Sequence, residues 1–94
     1  MLYSIHAFDA NEDSSVRRDA SPAHKEHLDR AAEYGVRLVI GGPLLDAEDQ
    51  FPIGSLMVFE AQDAAAVRRF NQDDPFLKMG VWSKVHLAQF DRRT

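Results

Sequence analysis

The sequence predicts an α+β fold: one four-stranded antiparallel sheet carrying two helices on a single face. Three observations support this. Four short β-prone runs and two amphipathic helical runs follow one another in the order β-α-β-β-α-β within 94 residues. Glycine, proline and small polar residues separate the runs at their junctions. The length suits one hydrophobic core and no second domain.

Leu2 to Phe8 is apolar and β-prone and reads as the first strand. Asp9 to Ala20, with Asn11, Glu12, Asp13, Ser14 and Ser15, reads as a polar surface loop. Ser21 then supplies a helix N-cap and Pro22 a first helical residue, whose missing N–H is harmless there. That helix is expected to run to about Tyr34 and to end at Gly35, a residue suited to a left-handed cap. Val36 to Ile40 is the second strand, closed by Gly41-Gly42-Pro43, with Leu44-Leu45 extending it past a bulge. After an acidic turn over Asp46–Pro52, Ile53 to Glu60 forms the third strand. Asp63 caps a second helix over Ala64–Gln72, with Ala66, Val67 and Phe70 on one side. Asp73-Asp74-Pro75 breaks it, because a residue before proline is pushed out of the α region. Phe76 to Met79 makes a short helical turn closed by Gly80, and Val81 to Phe90 is the last strand. The order is that of the ferredoxin-like arrangement. Both helices are taken to run in roughly the same direction, so the start of one need not meet the end of the other.

Alternation along the outer strands places large apolar groups on both sheet faces. Tyr3, Ile5 and Ala7 oppose Leu2, His6 and Phe8, and Val81, Val85 and Leu87 oppose Trp82, His86 and Phe90. Two helices cover one face only, and a bare apolar face is unusual on a soluble monomer. A second copy of the chain is the most economical cover, giving a homodimer or a higher homo-oligomer. The alternative is that the loop Asp9–Ala20 folds over it.

Composition narrows the function. A hydrophobic content of 45% with 28% charged residues is that of a soluble globular domain. A net charge of -4 argues against a nucleic-acid binder, which shows a basic patch. The doublets Arg17-Arg18, Arg68-Arg69 and Arg92-Arg93 lie beside acids and read as solvated surface. Cysteine is absent, which removes disulfides and thiolate catalysis and fits a cytoplasmic setting. No secretory leader follows Met1, and no apolar run approaches the roughly 20 residues of a membrane span.

The first candidate for chemistry is His24, read as lying in the first helical turn with Leu28 and Ala31 on its inward face. The partial positive charge of a helix N-terminus disfavours imidazolium there and leaves a ring able to accept a proton. The second candidate is Asp74, held in a defined direction by Pro75; on spacing alone, a turn carboxylate satisfying local N–H groups is the simpler reading. His27, three residues after His24, forms a metal pair only if a third ligand exists, and none has suitable spacing. His6 and His86 sit on neighbouring outer strands and read as structural. Gly41-Gly42 opens no G-x-G-x-x-G pattern.

Leu2-Tyr3, Pro22-Ala23-His24, Gly42-Pro43, Gly54-Ser55, Asp74-Pro75-Phe76 and Gly80 together resemble YCII-related proteins over nearly the whole chain. The resemblance implies a ferredoxin-like fold that dimerises through its sheets, related to the dimeric α+β barrels. It also implies an active site built on His24 and Asp74. One branch of that family removes chloride from a chlorinated hydroxyhydroquinone, and muconolactone isomerases look similar in fold. The acidic stretch Asp9–Asp19 departs from many relatives and is expected to alter substrate access.

The expected mechanism is general acid–base catalysis without a cofactor or metal. His24 moves the proton, and Asp74 fixes its tautomer and stabilises imidazolium. Ser55, Tyr3 and the backbone at Gly42 are expected to contact the substrate, an aromatic or lactone-like metabolite. The competing reading is a non-catalytic small-molecule-binding or accessory domain, and a structural interaction module is a third. The separation of His24 from Asp74 discriminates between the first two.

Overall fold

The computed structural model describes residues 1–11 and 13–94. Glu12, read as part of the polar loop, lies outside the described residues. The element order is β1 (Leu2–Asp9), α1 (Ser15–Asp29), β2 (Val36–Leu45), β3 (Pro52–Ala61), α2 (Ala64–Gln72), α3 (Pro75–Lys78) and β4 (Trp82–Phe90). The strands form one sheet in the order β2-β3-β1-β4, and every neighbouring pair is antiparallel. This is the expected ferredoxin-like βαββαβ arrangement.

The local capping readings hold in part. Asp63 accepts from the Ala66 N–H at 3.0 Å and starts α2. Asp74 accepts from the Phe76 N–H at 2.9 Å and starts the turn α3. Gly35 and Gly80 take φ of 75° and 76°, where only glycine is unstrained. Gly54 is required for a different reason: a Cβ there would stand 2.3 Å from the Ala7 carbonyl oxygen of the paired strand. Any side chain at Gly54 must push β1 and β3 apart.

The start of the first helix is a correction. Helix α1 begins at Ser15, so much of the stretch read as a surface loop is helical and packs its Val16 and Ala20 against the core. Pro22 lies inside the helix, and Ser21 is no cap; its hydroxyl donates to the Arg17 carbonyl at 2.7 Å. The proline is tolerated because Arg18, whose carbonyl loses its helical donor, is exposed to water. At the other end α1 stops at Asp29 and a 3₁₀ turn over Ala31–Tyr34 leads to Gly35.

The helix directions are a second correction. Strands β1 and β3 run antiparallel, so α1 and α2, each returning across the sheet from one of them, run in opposite directions. The end of α2 therefore comes back beside α1. The sequence DDPF then folds as α3 directly against α1.

The core lies between the helices and one sheet face. It contains Tyr3, Ile5, Ala7, Met57, Phe59, Val67, Phe70 and Phe76. Trp82 is a third correction: a register shift between Phe8 and Asp9 opposite β4 brings the indole into this core. The other face carries the cross-strand pair His6–His86 with Phe8, Ile40, Leu56 and Phe90 exposed around it. Among the described residues no segment of the chain crosses that face, because Ser15–Ala20 belongs to α1 on the opposite side.

A candidate active site at the α1–α3 contact

Four residues of α1 lie on one face at helical spacing: Arg17, Ser21, His24 and Leu28. They form one wall of a cleft of about 410 Å³, large enough for a small planar ligand. Its other wall comes from Gly41–Pro43 and Leu45 of β2 and from Pro52, Ser55 and Met57 of β3, with Phe76 beside them.

His24 and Asp74 meet here. Nδ1 of the imidazole is 2.7 Å from Asp74 Oδ1. Asp74 is 0% exposed, and the His24 side chain is 14% exposed at the cleft. Oδ1 also accepts the Phe76 N–H, so the cap of α3 and the partner of His24 are one atom. An ionised carboxylate only accepts, so Nδ1 then carries the shared hydrogen, and in the neutral imidazole Nε2 holds the lone pair. Nε2 makes no hydrogen bond among the described residues. Asp74 Oδ2 is buried and has no partner among them either, which leaves a buried carboxylate poorly compensated. A proton arriving on His24 places a positive charge against it.

The ring is also fixed in its plane. Phe76 stacks on it with centroids 3.8 Å apart and 4° between planes, and Trp82 meets its edge at 5.9 Å. Two restraints, a hydrogen bond in the plane and an aromatic face against it, determine the direction of Nε2. The expectation of a helix-terminus effect on His24 does not survive, because His24 sits well inside α1. Among the described residues its ion-pair partner is Asp74.

Adjacent acids differ sharply. Asp73 is exposed, and the Tyr34 hydroxyl donates to it, which holds its carboxyl below the usual carboxylate range. Nothing in the sequence distinguishes the two aspartates except their place before Pro75.

Arg17 is the residue that sequence reasoning missed. It is not solvated surface: its side chain is 11% exposed and pairs through Nε and Nη2 with both oxygens of Asp9 at 2.9 Å. Nη2 also lies 2.8 Å from the Gly54 carbonyl oxygen and 2.7 Å from Ser55 Oγ, so its two hydrogens are shared among three acceptors, and the guanidinium lies 4.8 Å over the Phe76 ring. The signal was present as the spacing 17, 21, 24, 28, but it is visible only once α1 is started at Ser15. Arg18, Arg68, Arg69, Arg92 and Arg93 are exposed as expected.

Of the three residues expected to contact a ligand, Ser55 and Gly42 line the cleft. Tyr3 does not. It is 4% exposed in the core, and its hydroxyl faces the Met1 sulfur at 3.8 Å. It points inward as the alternation requires, but it stands four residues along β1 from Ala7, the partner of Ser55, a distance of roughly 13 Å. His27 donates from Nε2 to the Phe70 carbonyl at 2.8 Å and stacks on the Phe70 ring, a packing role.

The fold and this pair define a ferredoxin-like α+β domain with a buried carboxylate–imidazole couple at a ligand-sized cleft. The chain matches the YCII-related domain over residues 1–91 and belongs to that family. Proteins named YciI from Escherichia coli O6:H1 and from Shigella flexneri are each 28% identical to it over 97 residues, covering 98% of either partner. Among solved structures it resembles a 5-chloro-2-hydroxyhydroquinone dehydrochlorinase from Burkholderia phenoliruptrix AC1100, in complex with 2,5-dihydroxybenzoquinone. That likeness has a TM-score of 0.85 at 28% identity and covers 99% of this chain and 96% of the other. SnoaB, a cofactor-independent oxygenase from Streptomyces nogalater, shares the fold with a TM-score of 0.61 at 14% identity, over 99% of this chain and 93% of that one. No helix of the described residues is long and apolar enough to cross a membrane.

Proposed function

We propose that the protein is a cofactor-independent lyase or isomerase that moves a proton on a hydroxylated aromatic or lactone-like small molecule. His24 is the base and acid, and Asp74 holds its tautomer. The observation that carries this reading is the 2.7 Å contact between His24 Nδ1 and a fully buried Asp74 at the wall of a cleft. General acid–base catalysis asks for this: a proton acceptor with a fixed direction, reachable by a ligand, and a second group that favours its charged form. Such a step contributes about 10²–10⁴-fold in rate. Ser55 and the Gly42 backbone supply polar contacts beside a largely apolar wall of Leu28, Leu45 and Met57. The substrate class is supported by the dehydrochlorinase likeness, since loss of HCl from a hydroxylated ring needs a base and no redox partner.

The test is anaerobic incubation with 5-chloro-2-hydroxyhydroquinone, read as chloride release, together with calorimetric binding of 2,5-dihydroxybenzoquinone. Release above the buffer rate is the expected result. Saturable binding without release assigns the cleft to a ligand-binding domain instead, and absence of both overturns the reading.

A second copy of the chain is the proposed cover for the open sheet face, where Phe8, Ile40, Leu56 and Phe90 are exposed. Sedimentation at micromolar concentration is expected to give at least twice the 10.6 kDa of one chain. A monomer under those conditions removes the proposed homodimer and leaves the site argument standing.

A further inference from the structure

Ser55 presents an unusual account of donors and acceptors. Its Oγ receives a hydrogen bond from Arg17 Nη2 at 2.7 Å and another from Trp82 Nε1 at 3.2 Å. Guanidinium and indole N–H groups are donors without acceptor capacity, and a hydroxyl has two acceptor positions and one hydrogen. Both acceptor positions are therefore occupied, and the O–H hydrogen has no acceptor among the described residues. Ser55 is 3% exposed and lines the cleft that His24 also lines. The acceptor for that hydrogen comes from outside the chain, from water or from a ligand in the cleft.

We propose that Ser55 is an oxyanion donor, so that the substrate carries a carbonyl or phenolic oxygen conjugated to the atom that His24 deprotonates. This rests on the acid–base reading above and adds the chemistry of the ligand's second polar group. Nε2 of His24 takes a proton from a C–H or O–H, and the electron pair moves through the conjugated system onto the oxygen facing Ser55. The Ser55 hydroxyl donates to that oxyanion as it develops. Return of the proton from imidazolium to another carbon completes an isomerisation, and departure of halide with the electron pair completes an elimination. Neither needs an oxidant or a reductant.

Arg17 is the positioning residue. Asp9 and the Gly54 carbonyl fix its guanidinium, and its charged donor polarises the Ser55 hydroxyl, which strengthens that hydroxyl as a donor in turn. A donor oriented before the substrate arrives need not reorganise as charge develops, which is the basis of oxyanion stabilisation. The Asp9 carboxylate neutralises the Arg17 charge, so the cleft offers a directed neutral donor in place of a bare cation. A ligand with a delocalised oxygen fits such a site better than a free carboxylate or phosphate.

The test uses two forms of one ring, which needs no change to the protein. Calorimetry under anaerobic conditions compares 2,5-dihydroxybenzoquinone with its reduced form, 1,2,4,5-tetrahydroxybenzene. The quinone, with its delocalised oxo groups, is expected to bind at least about tenfold more tightly, the effect of one hydrogen bond to a charged acceptor. Ser55→Ala is expected to remove most of that preference, while Ser55→Thr, which keeps the hydroxyl, retains it. Because Ser55→Ala leaves two buried N–H groups without an acceptor, its folding is checked by thermal melting; the comparison of the two rings on the unaltered protein holds in either case. Equal binding of both rings, or an unchanged preference in folded Ser55→Ala, overturns the role of Ser55 while leaving His24 and Asp74 in place. Chloride release without measurable binding of the quinone removes this inference alone, and absence of both removes the acid–base reading with it.

Discussion

His24→Gln lowers chloride release from 5-chloro-2-hydroxyhydroquinone by about 10²–10⁴-fold and leaves the protein folded. The glutamine side chain keeps a polar amide near Asp74 Oδ1 and fills part of the space beside Phe76, but it has no nitrogen lone pair that accepts a proton. The loss appears in kcat, because the proton transfer is made only in the transition state. Steady-state kinetics with a parallel thermal melt checks it. A variant that melts early and loses activity in proportion assigns His24 to packing on Phe76 and Trp82. A folded variant with unchanged kcat removes it from the chemistry altogether.

Phe70→Ala lowers stability by about 3–5 kcal/mol, the usual effect of emptying a large aromatic position in a core. Phe70 is among the largest fully buried side chains. Its ring lies 5.3 Å from Phe59 and 5.2 Å from Tyr34 in edge-on contacts, and 4.1 Å from the stacked His27 ring. No single neighbour can move into the space, because each is held elsewhere: Phe59 in β3, Tyr34 by its hydrogen bond to Asp73, and His27 by the Phe70 carbonyl. For a domain of this size the whole margin is of order 5–15 kcal/mol, so one ring carries a large share of it. Equilibrium urea unfolding gives the value directly. A loss below about 1 kcal/mol means that the core re-closes around the gap, contrary to its close packing.

The fold was legible where local chemistry decides it. Asp63 before Ala64–Gln72 and Asp74 before Pro75 are caps because a short carboxylate satisfies N–H groups two or three residues on. Gly35 and Gly80 end helical turns because only glycine enters the left-handed region freely. The alternation Tyr3, Ile5, Ala7 correctly gave the buried face of β1. Helix α1 was misread where two local signals competed: Ser21-Pro22 has the form of a helix start, yet Ser14-Ser15 begins the helix and the proline is carried inside it. The amphipathic face of Val16, Arg17 and Ala20, anchored in tertiary contacts, outweighs one lost hydrogen bond at an exposed turn.

By itself the sequence determined the order of the strands and helices and the caps at Asp63 and Asp74, since each follows from interactions within a few positions along the chain. Only the tertiary structure decided that α2 runs opposite to α1, which brings Asp74 to His24 from fifty residues away. It alone buried Arg17 against Asp9, turned Trp82 into the core through a shifted register, and carried Tyr3 away from the cleft. Those placements depend on strand direction and registry, which local preferences do not encode and which are settled when distant segments compete to bury the same surface.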